Sequence, residues 1–496
     1  MADPLAAASH LSRLYRPRLA LLTDLYQLTM AAGHYRRPDR DLEAVFHLYF
    51  RRHPFDGGYA IACGLAPAVE YLTTLAFGRE DLDLLAGERG SDGEPLLADD
   101  FLRFLEGWRF RGDVDAVPEG TVVFAHEPLV RVSGPVLDAQ LVESALLNLV
   151  NFPTLVATRA ARLCEAAGDQ PIVEFGLRRA QGIDGAVSAT RAAFVGGCES
   201  TSNALAGALF GIPVRGTHAH AWVSTFDSEL AAFRAFAEAQ PGNCVLLVDT
   251  YDTLEGVRRA ARVGLEMRAT GRQLAGIRLD SGDLAFLSIE ARRILDEAGL
   301  AEVKILASNN LDEHLIESLR RQGARIDVWC VGTSLATADD DPALGGVYKI
   351  GATRRPGEPW RPRLKLSEQT AKTTTPGVLG VRRFRRPDGS LLADMIWDLE
   401  RGVAAPPAIV DPADPLRSRR LPADAETEEL LVPVLRGGEP AGSLRTLAEA
   451  RACARAELAQ LHPAIRRFLN PHPYPVGLER GLAEAKARLI VEERGA

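Results

Sequence analysis

The sequence predicts an α/β fold, a parallel barrel or a doubly wound sheet, on two observations. Seven short apolar runs recur at 172–175, 193–195, 212–214, 245–248, 274–279, 303–306 and 328–331. Continuous apolar runs suit strands buried on both faces, as in a parallel sheet. Between them lie segments rich in Ala, Leu, Glu and Arg, such as 254–268, 289–298 and 312–322. Alternating strand and helix signals of this kind build parallel sheets.

The flanks read differently. Residues 110–136 alternate short strand signals with turns (Val117-Pro118-Glu119-Gly120 among them), which suits an antiparallel element. Segments 353–363 and 401–421 are rich in Pro and Arg and read as a loop or linker. Helical spacing returns at 444–461 and 478–491, divided by Asn470-Pro471-His472-Pro473-Tyr474-Pro475.

Composition narrows the function classes. The 496 residues are 46% hydrophobic and 25% charged, ordinary for a globular protein and enough for two to four domains or one barrel with additions. Net charge is −8, which disfavours nucleic acid as a partner because phosphate backbones are held by clustered Lys and Arg. The six cysteines are far apart with no CxxC pair, so zinc-finger and iron–sulfur readings fail and a reduced intracellular protein is expected. The start carries Arg13, Arg16 and Arg18, and its apolar run stops at Thr23-Asp24. No signal peptide is expected there, nor any membrane span. A cytoplasmic protein acting on small molecules is the resulting expectation.

Each apolar run is followed by a polar or glycine-rich cluster. In order these are Gly176-Leu177-Arg178-Arg179, Gly196-Gly197, Gly216-Thr217-His218-Ala219-His220 and Asp249-Thr250-Tyr251-Asp252. Then come Asp280-Ser281-Gly282-Asp283, Ser308-Asn309-Asn310 and Gly332-Thr333-Ser334. Ligand sites of parallel α/β folds lie at the carboxyl ends of the strands, so these clusters are expected to form one rim.

Individual motifs leave alternatives open. His218 and His220 face the same way if strand period continues. That pair suits metal ligation, a structural hydrogen bond or a chemical role, and the metal reading lacks a further His on a later exit. Arg278 to Asp283 offers a cation, two carboxylates and a glycine turn. It suits a sugar phosphate with Mg²⁺, or simply a helix cap made by Ser281 or Asp283. Gly332-Thr333-Ser334 and Gly345-Gly346 suit anion cradles or plain turns. Phe175 could stack on a flat ring, and Arg178 could meet an anion.

Taken in order, these motifs resemble the nicotinate phosphoribosyltransferase family. The likeness runs from Thr23-Asp24-Leu25-Tyr26-Gln27 through Glu174-Phe175-Gly176 and the clusters at 216–220, 249–251, 278–283, 308–310 and 332–334. It continues through Leu344-Gly345-Gly346-Val347-Tyr348-Lys349 to Arg363-Leu364-Lys365-Leu366-Ser367-Glu368, about residues 20–385.

The resemblance implies an irregular, TIM-like parallel barrel (136–352) beside an open-faced α/β sandwich built from both chain ends (1–135 and 353–496). It implies transfer of the phosphoribosyl group of phosphoribosyl pyrophosphate (PRPP) to nicotinate, coupled to ATP hydrolysis, with Mg²⁺. The His220 position matches the histidine that ATP phosphorylates. Tyr26, Thr217 and Arg278 match nicotinate-binding positions, and in the related nicotinamide enzymes the positions matching Phe175, Arg178 and Asp280 stack on the ring and contact substrate. Thr333 matches a PRPP-binding position, with Ser308, Asn309, Gly332, Gly345 and Gly346 expected beside it. Asp280 and Asp283 are the expected Mg²⁺ ligands, and Asp280, with Asp249 or Asp283, is expected to stabilise charge on the ribose or hold its hydroxyls. An obligate homodimer is implied, with Tyr26 reaching into the neighbour's site. Nicotinamide or another pyridine base is the alternative substrate, and a non-catalytic nucleotide-binding barrel a distant one. The chain departs from the family at Val378-Leu379-Gly380, where lysines are common after Pro376-Gly377, though Arg382 and Arg383 follow.

Overall fold

Strands with apolar residues on both faces need cover on both sides, and the middle of the chain provides it. The computed structural model describes residues 19–368, 373–412, 414 and 416–495. Arg13, Arg16 and Arg18 lie outside them. Among the described residues, six parallel strands form one sheet in the order Ser200–Thr201, Ile172–Glu174, Val328–Val331, Lys304–Ala307, Gly276–Leu279, Val245–Leu247. Ile172, Leu246, Ile277, Ile305 and Trp329 pack with the covering helices Thr253–Ala269, Leu284–Glu297 and Glu313–Arg321 in one core.

Two of the seven expected strands are different. The 193–195 run is the end of the helix Gly182–Val195, whose Ala186, Ala189 and Ala193 are buried at helical spacing. The strand here is the pair Ser200–Thr201 instead. Gly196-Gly197 therefore ends a helix, with the Gly196 amide donating to Ala192 O (2.9 Å). The 212–214 run makes only an isolated parallel bridge, Thr201 to Val214, since Pro213 has no amide hydrogen to give a ladder. The ladder is consequently open between Ser200–Thr201 and Val245–Leu247, and strand pairing does not close a barrel.

The chain ends build an antiparallel sheet, as expected of 110–136, and a mixed one in which Leu391–Asp398 and Val476–Glu479 run parallel. One has the order Arg361–Pro362, Gly346–Arg354, Glu43–Phe50, Val130–Pro135, Asp113–Ala116, Val432–Arg436, Glu439–Pro440. The 353–363 segment, expected as a loop, holds the end of one strand and the start of the next, joined as a hairpin. The pairing of Gly346–Arg354 with Glu43–Phe50 over the full length of that strand is long-range and leaves no local signal. A third sheet joins Leu379–Arg385, Leu391–Asp398 and Val476–Glu479, with Ala408–Val410 and Ser418–Arg420 inside the segment expected as a linker.

One helix, Glu143–Ala167, connects the parts. Its first half puts Ala145, Leu146, Val150 and Leu155 into the core beneath the antiparallel sheet. Its second half puts Val156, Ala160, Leu163 and Ala167 into the core of the parallel sheet. No described helix is long and apolar enough to cross a membrane.

Candidate active site

A guanidinium on a fully buried strand must have its donors satisfied by the protein or by a ligand. Arg278, on Gly276–Leu279, is such a residue. Its Nε donates to Ser308 Oγ (2.7 Å), Nη1 to Thr217 Oγ1 (3.1 Å) and Nη2 to Asp280 Oδ1 (2.8 Å). Its charged carbon also lies 5.4 Å from the centre of the Phe175 ring, within cation–π range. One side chain thus gathers expected site residues from the exits after 172–175, 212–214, 274–279 and 303–306.

Asp280 is the hinge of this cluster. Its amide donates to Asp249 Oδ2 (2.9 Å), which also accepts from Ser281 Oγ (2.6 Å). Its Oδ1 accepts from the Ser308 hydroxyl as well as Arg278. Burial pushes its carboxyl up. The Ser308 hydroxyl, the Arg278 charge and His220 outweigh that and hold it below the ordinary Asp value.

The two histidines separate cleanly. His218 Nε2 accepts the Leu247 amide (3.1 Å) and Nδ1 lies 3.2 Å from Ala219 O. Both ring nitrogens are occupied, so the ring joins the Val245–Leu247 edge of the sheet to the next segment. Burial lowers its pKa, which suits this neutral role. A His218–His220 metal pair is thereby excluded, and no group of three metal-binding side chains occurs among the described residues. His220 opens the short helix His220–Ser224. Its Nδ1 lies 3.2 Å from Thr250 Oγ1, leaving Nε2 at 3.7 Å from Asp280 Oδ2 and 4.0 Å from Asp249 Oδ1.

Phe175 is positioned from below. The buried Glu174 accepts the Gly176 amide on one oxygen, and the hydroxyls of Thr190 (3.0 Å) and Thr201 (2.6 Å) on the other. A Cβ on Gly176 would fall 2.4 Å from Ala336 Cβ and 2.7 Å from Glu174 Oε1, so glycine lets the Phe175 and Gly332 exits approach. Thr333 begins the helix Thr333–Thr337, and Ser334 Oγ donates to Leu311 O (2.5 Å), tying this exit to the one at 308–310. Asn309, exposed, takes φ +90°, a left-handed conformation uncommon for a residue other than glycine.

Other expected residues stand apart from this cluster. Asp283 Oδ1 caps the helix Leu284–Glu297 through the amides of Ala285 and Phe286 (both 3.1 Å), the structural alternative for this motif. Arg178 lies exposed on the turn after Phe175. Gly345 and Gly346 lie at the start of Gly346–Arg354 in the antiparallel sheet, where a Cβ on Gly346 would fall 2.1 Å from Asn151 Oδ1. Tyr26 is half exposed on the helix Leu25–Arg36, where burial and the nearby Glu143 raise its pKa. Arg383 is fully buried between Asp394 (2.6 Å) and Glu457 (2.8 Å), and Arg382 pairs with Glu429 (2.5 Å). Arg383 therefore cannot reach a phosphate in place of the missing lysines.

Asp249 is more central than the sequence suggested. Its side chain is buried, and its Oδ1, 4.0 Å from His220 Nε2, has no hydrogen-bond partner among the described residues. That orphaned oxygen and Asp280 Oδ2 form a donor set suited to Mg²⁺, which takes one or two carboxylates and completes its shell with water and phosphate. Thr250 and Ser281 were visible only as members of polar clusters, and their contacts with His220 and Asp249 are tertiary.

The same chain matches known proteins across most of its length. The model of the nicotinate phosphoribosyltransferase N-terminal domain matches residues 21–151, and that of its C-terminal domain residues 380–486. Nicotinate phosphoribosyltransferase of Bacillus subtilis is 49% identical over 367 residues, covering 74% of this chain and 73% of that protein. The Homo sapiens protein of that name is 36% identical over 525 residues, covering 93% and 95%. The crystal structure of human nicotinic acid phosphoribosyltransferase superposes with TM-score 0.82 at 34% identity, covering 94% of this chain and 99% of that one. The chain belongs to the nicotinate phosphoribosyltransferase family.

Proposed function

We propose that this chain transfers the phosphoribosyl group of PRPP to nicotinate, giving nicotinate mononucleotide and pyrophosphate for NAD biosynthesis and salvage, with ATP hydrolysis coupled to turnover. The carrying observation is Arg278, buried beside Phe175 and joined to Thr217, Ser308 and Asp280. An aromatic face beside a cation and a hydroxyl suits a flat ring bearing a carboxylate.

The chemistry follows from where charge develops. As pyrophosphate leaves, positive charge grows on the ribose ring and negative charge on the departing oxygens. Asp280, held ionised by Ser308 and Arg278, offsets the first, and preorganised groups of this kind are worth about 3 kcal/mol each. The nicotinate ring nitrogen attacks with its own lone pair, so no general base is needed. Asp249 and Asp280 would hold Mg²⁺, which neutralises pyrophosphate charge when bound. Asn309, Gly332 and Thr333 face the phosphates as backbone and hydroxyl donors, while Ser308, whose amide and hydroxyl donate to Leu279 O and Asp280 Oδ1, fixes the exit beside them.

His220 is the residue ATP phosphorylates: the bond from the terminal phosphorus to the ADP oxygen breaks as one forms to Nε2, and ADP leaves. Thr250 fixes the ring through Nδ1, which leaves Nε2 facing Asp280 and Asp249. The phosphohistidine adds a dianion beside Asp249 and Asp280, where Mg²⁺ held by those carboxylates would supply the charge that lets it draw PRPP into place.

The architecture supports further parts of this reading. The Thr201–Val214 bridge and the Leu247–His218 hydrogen bond support reading residues 136–352 as an irregular, TIM-like barrel, beside a sandwich of 1–135 and 353–496. Leu25, Tyr26 and Met30 are each exposed by 41% or more on one helix. That surface supports a homodimer in which Tyr26, and not a residue of the same protomer, reaches the nicotinate site. Arg178 meets substrate from its exposed turn, and Gly345 and Gly346 serve phosphate from the sandwich edge. The six free cysteines suit the reducing cytoplasm.

A product assay with PRPP, Mg²⁺ and ATP and either nicotinate or nicotinamide tests the proposal. Nicotinate mononucleotide with matched ADP is expected. Product from nicotinamide alone would replace the substrate, and bound PRPP without product from either base would mean a non-catalytic barrel.

A further inference from the structure

A second arginine, outside the cluster around Arg278, organises the phosphate exits from beneath. Arg159 lies on Glu143–Ala167 with its side chain fully buried. Nη1 donates to Glu313 Oε2 (2.7 Å) and Nη2 to Asp340 Oδ2 (2.7 Å), with Asp339 Oδ1 at 3.6 Å. Phe55 stacks on the guanidinium, its ring centre 4.0 Å away, and the Phe55 amide donates to Asp341 Oδ2 (3.2 Å).

The partners of Arg159 give it a role. Glu313 is the first residue of the helix that follows Ser308-Asn309-Asn310. Asp340 lies between Thr333 and Gly345, two residues after Ala338, whose backbone is left-handed at φ +49°. One planar, five-donor group therefore spans two strand exits and fixes the gap between them. A buried arginine needs both carboxylates, so losing one frees the exit it held. Asp340 is 62% exposed at its side chain and Glu313 fully buried, so the Asp340 arm is the one that can be cut without opening the core.

We propose that Arg159, through Glu313 and Asp340, is a positioning residue for PRPP that sets the spacing between the 308–310 and 332–346 phosphate-binding segments. This rests on the phosphoribosyl-transfer reading above. The test compares the wild-type protein with Asp340→Asn and Asp340→Glu in steady-state kinetics and in calorimetric titration with PRPP. Asp340→Asn is expected to raise KM and Kd for PRPP about tenfold while leaving kcat and the nicotinate KM within about twofold. Asp340→Glu, which keeps the charge, is expected to restore most of the loss. Unchanged PRPP affinity in Asp340→Asn, or a loss spread equally over kcat and the nicotinate KM, would overturn the proposal. The failure of the parent reading looks different: the wild-type protein itself would then give no nicotinate mononucleotide. Arg159→Lys supplies a second check, since one ammonium cannot keep the forked contact to both carboxylates. It should raise the PRPP KM in the same direction, and a normal PRPP KM in that variant would also count against the clamp.

Discussion

Asp280 Oδ2 lies 3.7 Å from His220 Nε2 while its Oδ1 accepts from Arg278. One carboxylate therefore faces both the imidazole assigned to phosphate chemistry and the guanidinium assigned to nicotinate. Few positions could couple the two halves of the reaction so directly.

Asp280→Asn is expected to lower kcat about a hundredfold or more, near 3 kcal/mol of transition-state stabilisation. The fold should persist, because the Asp280 amide still donates to Asp249. Circular dichroism and turnover measured together check this, and near-normal turnover would reduce Asp280 to a structural partner of Arg278.

His220→Ala should abolish the ATP hydrolysis that accompanies turnover and leave a slow, ATP-independent transfer. The readout is ADP formed per mononucleotide. A ratio unchanged from wild type would remove the phosphohistidine assignment.

Gly176→Ala places a methyl group 2.4 Å from Ala336 Cβ and 3.1 Å from Gly332 O. Overpacking of this kind costs about 1–3 kcal/mol. Both exits it separates border the site, so the melting temperature and the nicotinate KM should worsen together. An unchanged KM with a lowered melting temperature would place the strain elsewhere.

Acid should destabilise the fold through buried histidines. Burial, then the Arg131 charge, holds the His47 imidazole at about 3, and burial, then His126, holds His53 at about 4. Below the ordinary value near 6.5 the unfolded chain takes up these protons before the folded one. Stability from these groups is thus full above about pH 6.5 and falls towards pH 4, by up to about 1.4 kcal/mol per pH unit for each ring. His47→Gln should flatten that slope in urea titrations between pH 7 and pH 5, and an identical slope would remove His47 from the account.

Mixed dimers test the shared site. Tyr26→Ala and His220→Ala homodimers should both lack ATP-coupled turnover, whereas co-expressed mixed dimers regain one intact site. No recovery in mixed dimers would confine Tyr26 to its own protomer.

The sequence was readable where chemistry is local and unreadable where it is not. The runs at 172–175, 245–248 and 328–331 are strands because a parallel strand covered on both faces cannot hide its apolar pattern. The 193–195 run failed because three apolar residues after an alanine-rich stretch end a helix as readily as they form a strand. At the site, Thr217, Arg278, Asp280 and Ser308 were legible as polar residues at strand exits. The capping role of Asp283 was one of two open readings until its oxygen was seen on the amides. Arg159 was invisible, since Glu313 and Asp340 lie 154 and 181 residues away along the chain and no local pattern encodes such a meeting.

The helix Glu143–Ala167, with one half in each core, has a thermodynamic consequence. Neither core can melt while the other stays ordered without unravelling the rod they share, so heating should give one calorimetric transition whose van't Hoff and calorimetric enthalpies agree. The same rod carries Arg159 at its midpoint region. A chain built this way lets the fate of the antiparallel sheet be felt at the strand exits that Arg159 bridges, and makes the two halves poor candidates for exchange as independent modules.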